Sequence, residues 1–194
     1  MYLSQRKINM ESVQPISVVF VKGKVFVPAQ NESDSLYNDG YGSRYKQIIK
    51  LEPYEVLYLI EKERVTVIDE KNQKLLNFQE ILSIYSQHDL LIWIRYVIYR
   101  DLRSRGFVIK SEKKLGDCFL VYERGTYGKK VPNYYLYTVY EGASETIEHL
   151  KNVLIETEKS GMNLKLAVFD RRSEIVYYSL SKIDFSELSL QENN

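Results

Sequence analysis

Residues 95–139, RYVIYRDLRSRGFVIKSEKKLGDCFLVYERGTYGKKVPNYYLYTV, constrain the fold more than any other stretch of this chain. Residues 95–105 are helix formers with apolar Val97, Ile98 and Leu102 on one side and arginines at 95, 100, 103 and 105. Gly106 follows at once, as the residue that ends a helix should, and the cations of the last turn suit the helix dipole. Strand-like runs come next at 107–110, 118–123 and 134–140. Between the last two lies a basic, glycine-bearing loop, residues 124–131. One unit thus offers a basic helix end, a sheet, and a positively charged loop with aromatic neighbours. That combination suits a phosphate backbone with exposed bases.

Composition narrows the class. The chain has 194 residues, enough for two small domains or one large one. Its formal net charge is +1, so any surface for nucleic acid must be a local patch. A single cysteine, Cys118, excludes an internal disulfide framework and a cysteine-based zinc cluster. No apolar run approaches the ~20 residues of a membrane span. The first residues lack the apolar core and cleavage site of a signal peptide, so a cytoplasmic protein with no membrane partner is expected. Seventeen tyrosines are explained first by core and sheet packing. No motif calls for a metal or another cofactor.

Along the chain, residues 1–12 are polar. Residues 16–27 read as two β-rich runs around Lys22-Gly23-Lys24, a hairpin that Pro28 ends. Residues 29–44 carry Asn, Ser, Asp and Gly in quantity and are expected to form a long loop, with Gly40–Gly42 as a turn. Residues 51–62, LEPYEVLYLIEK, read as a helix with Pro53 in its first turn. A short strand at 65–68 and a helix at 77–87 follow, and a domain boundary is expected near 88–90. Past residue 139, a helix is expected over 144–159 with Ser144 as its cap and Gly161 as its stop. Strands at 164–169 and 175–180 then flank a turn at 170–174. The tail from Asp184 is polar. Helix, strands, helix, strands in the second half fit a mixed sheet flanked by helices, an α+β or α/β arrangement.

The runs YVIYRDLRSRGFVIK and LGDCFLVYERG, then the tyrosine-rich strand, resemble the C-terminal domain of archaeal tRNA-splicing (tRNA-intron) endonucleases, densely over residues 94–140. The helix LEPYEVLYLIEK with the strand and helix after it resembles that family's N-terminal domain. The resemblance implies a small α/β N-terminal domain over residues 1–90 and a restriction-endonuclease-like C-terminal domain over 91–194. It also implies metal-independent RNA cleavage. A 2′-hydroxyl attacks the adjacent phosphorus, leaving a 2′,3′-cyclic phosphate and a 5′-hydroxyl. A base, an acid and a cation assist, and the family uses tyrosine, histidine and lysine.

The family tyrosine matches Tyr122. The histidine position falls on Pro132, which has no proton to give. The lysine position falls near Met162, where Gly161 and Asn163 are also uncharged. Lys165 is close, but strand alternation points it away from Met162, Leu164 and Leu166. The two histidines, His88 and His149, are not spaced to replace the acid and read as surface residues. Losing one such group costs factors of ~10²–10⁴. Tyr122 is therefore expected to be vestigial. In this family a degenerate copy resembles the structural subunit of an α₂β₂ heterotetramer, whose catalytic paralogue cuts the bulge-helix-bulge of precursor tRNA. Arg124, Lys129 and Lys130 are the candidate RNA contacts. The turn at Asp170-Arg171-Arg172-Ser173-Glu174 matches an acidic family turn that inserts into the opposing subunit. Asp170 and Glu174 are the candidate docking carboxylates, with Arg171 and Arg172 free to reach RNA or another acid. Two other readings stay open. One is an active nuclease with a shifted site, using Tyr122 with Lys129 or Lys130. The other is a stand-alone RNA-binding protein using the patches at 100–105 and 124–130.

Overall fold

The first sheet grows from a hairpin of β1 (Ile16–Val21) and β2 (Lys24–Val27). Lys22 and Gly23 join them with φ of 48° and 80°. Two positive φ values give the turn whose twist matches that of paired strands. In this computed structural model, which describes residues 14–46, 48–112, 115–116, 118–142 and 145–181, the sheet continues through β3 (Ser43–Tyr45), β4 (Ile48–Leu51), β5 (Val65–Asp69) and β6 (Leu75–Leu76). The order across it is β3-β4-β2-β1-β5-β6, with only β1 and β5 parallel. Alternation turns Val18, Val25, Val27, Ile49, Leu51, Val65 and Val67 to one buried face.

α2 (Pro53–Glu61) covers that face. A capping box between Glu52 and Glu55 starts it, with Pro53 in the first turn. Tyr54, Val56, Leu57, Tyr58 and Leu59 are all buried, so the helix is apolar around most of its circumference, as a helix between two layers must be. Its other side meets α4 (Ile92–Ser104), with α3 (Phe78–Ser86) packed against both. The Tyr54 and Tyr58 rings lie 4.8 and 5.6 Å from that of Tyr99 on α4, and Tyr54 meets Phe119 edge-on at 5.4 Å. One apolar cluster thus runs from Val18 in the first sheet to Phe169 in the second, and much of the tyrosine content is spent there.

The second sheet has the order β11-β10-β9-β8-β7, from β7 (Val108–Glu112), β8 (Cys118–Tyr122), β9 (Tyr134–Tyr140), β10 (Asn163–Phe169) and β11 (Ile175–Leu180). Only β9 and β10 are parallel, and α5 (Ile147–Lys159) makes the crossover that parallel neighbours need. α4 packs on one face of this sheet. On the other, α5 builds a smaller core of Cys118, Tyr135, Tyr137, Val153 and Leu164. Among the described residues the fold is therefore α+β, with five helices and two sheets.

Three local expectations change. Residues 29–44 are not a loop. α1 (Gln30–Asn38) occupies most of them, because Ser33 and Leu36 bury one face of an otherwise polar helix, and β3 begins at Ser43. Leu51 ends a strand instead of opening a helix. The cap of α5 is Thr146, whose side chain accepts from the His149 N–H, and Ser144 lies outside the described residues, as do residues 1–12 and the tail from Asp184.

Glu55 is a charged residue inside this core, 1% exposed. Its Oε2 accepts from the Gly42 and Glu52 N–H groups at 3.0 and 2.8 Å. Its Oε1 lies 3.7 Å from the Lys110 ammonium, which donates to the Gly42 carbonyl at 2.7 Å. Burial raises Glu55 above the ordinary carboxylate range, while Lys110 and the two N–H groups pull it back. Glu55→Ala removes two acceptors and strands the amine, and is expected to cost about 3–5 kcal/mol in urea unfolding. Folded Glu55 holds its proton at a pH where the unfolded chain has lost it. Its titration therefore adds stability in acid that fades as pH rises through that window. The stability of the wild type relative to Glu55→Gln should decline over the same interval; a relative gain there would contradict the burial account.

Candidate functional site

The site lies where β8 ends. Antiparallel pairing sets Tyr122 opposite Val108, and the Asn133 N–H donates to the Val121 carbonyl at 2.8 Å. The Asn133 side chain accepts from the Glu123 N–H at 3.0 Å, so the end of one strand and the start of the next are tied together. Tyr122 is half-buried, and burial alone raises its hydroxyl. The phenolate needed to take a proton is therefore disfavoured.

Tyr127, which sequence reading passed over, meets the Tyr122 ring edge-on at 5.1 Å. Lys110 sits 5.5 Å from the Tyr127 ring centre. Burial pushes Tyr127 up to about 12, with the neighbouring hydroxyls of Tyr37 and Tyr122 adding to it. The Lys110 amine is lowered by burial and is already engaged with Gly42 and Glu55. The signal for Tyr127 was a lone tyrosine between two glycines in a basic loop, inconspicuous among so many tyrosines.

Pro132 is half-buried just before β9 and brings no titratable group. Met162 packs into the α5-side core, next to Leu164 and its neighbours. Lys165 faces the other way, its amine 4.1 Å from the Tyr134 ring centre, as alternation predicts. His88 is exposed. His149 is exposed and lies against Tyr137, which pairs with Cys118 at the far end of β8 from Tyr122. Among the described residues no group of three His, Cys, Asp or Glu is gathered as a metal site would need.

The basic loop is a compact turn. The N–H groups of Lys129 and Lys130 both donate to the Thr126 carbonyl, and both side chains are exposed. Arg124 differs from them. Its Nε donates to the Arg105 carbonyl at the end of α4. The contact requires Gly106, whose φ is +89°, because a Cβ there would lie 2.6 Å from that nitrogen. Arg124 thus joins the loop to the helix C-terminus.

At the hairpin tip, the Asp170 carboxylate accepts from the N–H groups of Arg172 and Glu174 at 2.8 and 2.9 Å and from Arg172 Nε at 3.1 Å. These bonds hold it below the usual carboxylate range. Arg172 also reaches Glu174 at 3.3 Å, and Arg171 reaches Glu141 at 3.4 Å. Both arginines are thus paired with acidic groups within the chain while staying largely exposed. Glu174 remains exposed, as do Val176 and Tyr178 on the edge strand β11.

Two families match in tandem. The tRNA intron endonuclease N-terminal domain covers residues 16–82, and the tRNA intron endonuclease catalytic C-terminal domain covers residues 92–177. The chain belongs to the tRNA intron endonuclease family. The tRNA-splicing endonuclease of Methanococcus vannielii is 30% identical over 140 residues, 72% of this chain and 78% of the relative. That of Pyrococcus abyssi is 27% identical over 163 residues, 84% and 93% of the two chains. That of Thermococcus onnurineus is 27% identical over 173 residues, 89% and 99%. Family membership thus spans both sheets and includes the end of β8, where Tyr122 stands. Among the described residues no helix is long and apolar enough to cross a membrane.

Proposed function

We propose that this chain is a structural, assembly subunit of a tRNA-splicing endonuclease. It grips bulge-helix-bulge precursor tRNA, while a paralogous catalytic subunit in an α₂β₂ heterotetramer performs the cleavage. The observation that carries this reading is the half-buried setting of Tyr122, packed against the Tyr127 ring. Burial raises the Tyr122 hydroxyl. The position that the resemblance gives to the acid is Pro132, and the position that it gives to the cation is Met162, packed in an apolar core. The nearby amine, Lys110, is committed to Gly42 and Glu55. The exposed apolar side chains of edge strand β11 support a partner laid against this side of the sheet.

The purified chain alone is expected to leave a bulge-helix-bulge RNA intact, and to support cleavage once the catalytic subunit co-purified from the source organism is added. Metal-independent cleavage by the homogeneous chain would overturn this and favour the shifted site. RNA binding that no partner converts to cleavage would favour a stand-alone RNA-binding protein.

Arg124, Lys129 and Lys130 are proposed phosphate contacts in that complex, motivated by their charge and their place beside Tyr122. Arg124 also fastens α4, so the clean variant is Lys129→Gln with Lys130→Gln. It should weaken binding and flatten the slope of log K against log salt by roughly 0.7–0.9 per lost contact. An unchanged slope removes the two lysines from the interface.

Asp170 and Glu174 are proposed to dock the hairpin against cations of the opposing dimer. Asp170 holds the turn, and exposed Glu174 presents charge to the partner. Asp170→Ala with Glu174→Ala should shift the assembled enzyme from tetramer towards dimer in light scattering, and Glu174→Ala alone should do so in part. A double variant that stays tetrameric at low micromolar concentration and raised salt rejects the docking.

A further inference from the structure

A groove of about 280 Å³ separates α1 from the loop after β8, lined by Tyr37, Asn38, Tyr127, Gly128 and Lys129. Neither half of the chain makes it alone. Tyr37 and Asn38 come from the N-terminal half, and the other three come from the loop that carries Lys129 and Lys130. Both rings are braced by other residues of the chain. Tyr127 is fixed by the edge of Tyr122 and by Lys110 near its face. Tyr37 carries the Arg44 guanidinium 4.5 Å from its ring centre, and Asp34 anchors that guanidinium at 2.8 Å. Gly128, at φ +74°, leaves open space where a side chain would begin.

We propose that this groove is a subsite for one unpaired nucleotide of the RNA. The inference rests on the reading of the chain as a precursor-tRNA binder and names a place where it would hold the substrate. The chemistry fits in each part. The aromatic rings offer faces on which any base stacks. The Asn38 amide both donates and accepts, as reading a base edge requires. Lys129, exposed at the rim, meets the phosphate. A paired base cannot enter, because its stack and its partner strand hold it in the helix, so an unstacked bulge nucleotide is the ligand. The groove also adjoins Tyr122 through the Tyr122–Tyr127 contact. A nucleotide seated there would lie beside the end of β8, where the family tyrosine stands.

The test uses the full chain and a bulge-helix-bulge RNA, read by fluorescence anisotropy, with an abasic residue placed at each bulge position in turn. One abasic position should weaken wild-type binding about tenfold. Tyr127→Leu should weaken binding of the intact RNA by a similar factor. Joined to that abasic RNA, the variant should lose nothing more, since both changes remove one contact. Asn38→Ala and Lys129→Gln alter exposed side chains and keep the test open if Tyr127→Leu does not fold. Asn38→Ala should change which base is preferred at the sensitive position. Wild-type affinity in all three variants, or losses from Tyr127→Leu and the abasic residue that multiply, overturns the subsite while leaving RNA binding intact. Undiminished RNA affinity with weakened assembly on the catalytic subunit also overturns it, marking the groove as a protein contact. A wild-type chain that binds no RNA with or without its partner removes the underlying reading as well.

Discussion

The fold depends on burying α2 between two layers. One side of the helix covers the first sheet and the other packs on α4, so neither half of the chain has a complete core without it. A helix in that place must be apolar nearly all round, and a charge inside it is costly unless every polar atom is engaged. Glu55 satisfies this by binding the Gly42 and Glu52 N–H groups and facing Lys110. The carboxylate ties the turn before β3, the start of α2 and strand β7 to one point. The orientation of the two sheets thus has a polar registration as well as an apolar one.

That registration extends to the candidate site. Lys110, held by Glu55 and Gly42, places its amine near the Tyr127 ring, and Tyr127 in turn abuts Tyr122. Arg124 runs from the same loop to the end of α4, whose other face packs on α2. The loop that bears the exposed lysines is therefore attached at two places to elements of the shared core. Its position relative to α1 follows from the same contacts, which is why a groove can persist between two parts so far apart in sequence.

How much of this was legible in the sequence depended on how local the cause was. The hairpin at Lys22-Gly23, the stop at Gly106 and the strands of the second half rest on turn chemistry and alternation within a few residues, and they could be read directly. α1 could not, because QNESDSLYN has the composition of a loop and only Ser33 and Leu36 are buried. The burial of Glu55 could not be read either, since nothing nearby in sequence shows that Lys110 and Gly42 meet it across the fold. Arg124 was legible as a cation but not as a helix fastener, because its partner, the Arg105 carbonyl, belongs to an earlier element. Arg171 and Arg172 were legible as cations at a turn, but the pairing of Arg171 with Glu141, 30 residues earlier, was not.

The residues at the end of β8 and just before β9 and β10 suit the strands they adjoin. A proline just before β9 gives up no ladder hydrogen bond, because the strand begins two residues later at Tyr134. A methionine at 162 fills space beside Leu164 and Val153, where a lysine would have to desolvate its amine or turn away from the cluster. Tyr122, half-buried against Tyr127, packs well but ionises poorly. Each of these features favours a stable, neutral strand end over a reactive one. A site built to move protons needs the opposite: charged groups held close together at a cost in stability. The end of β8 is thus a packed, half-buried strand end, and the charge around it lies on the exposed side chains of the loop that follows.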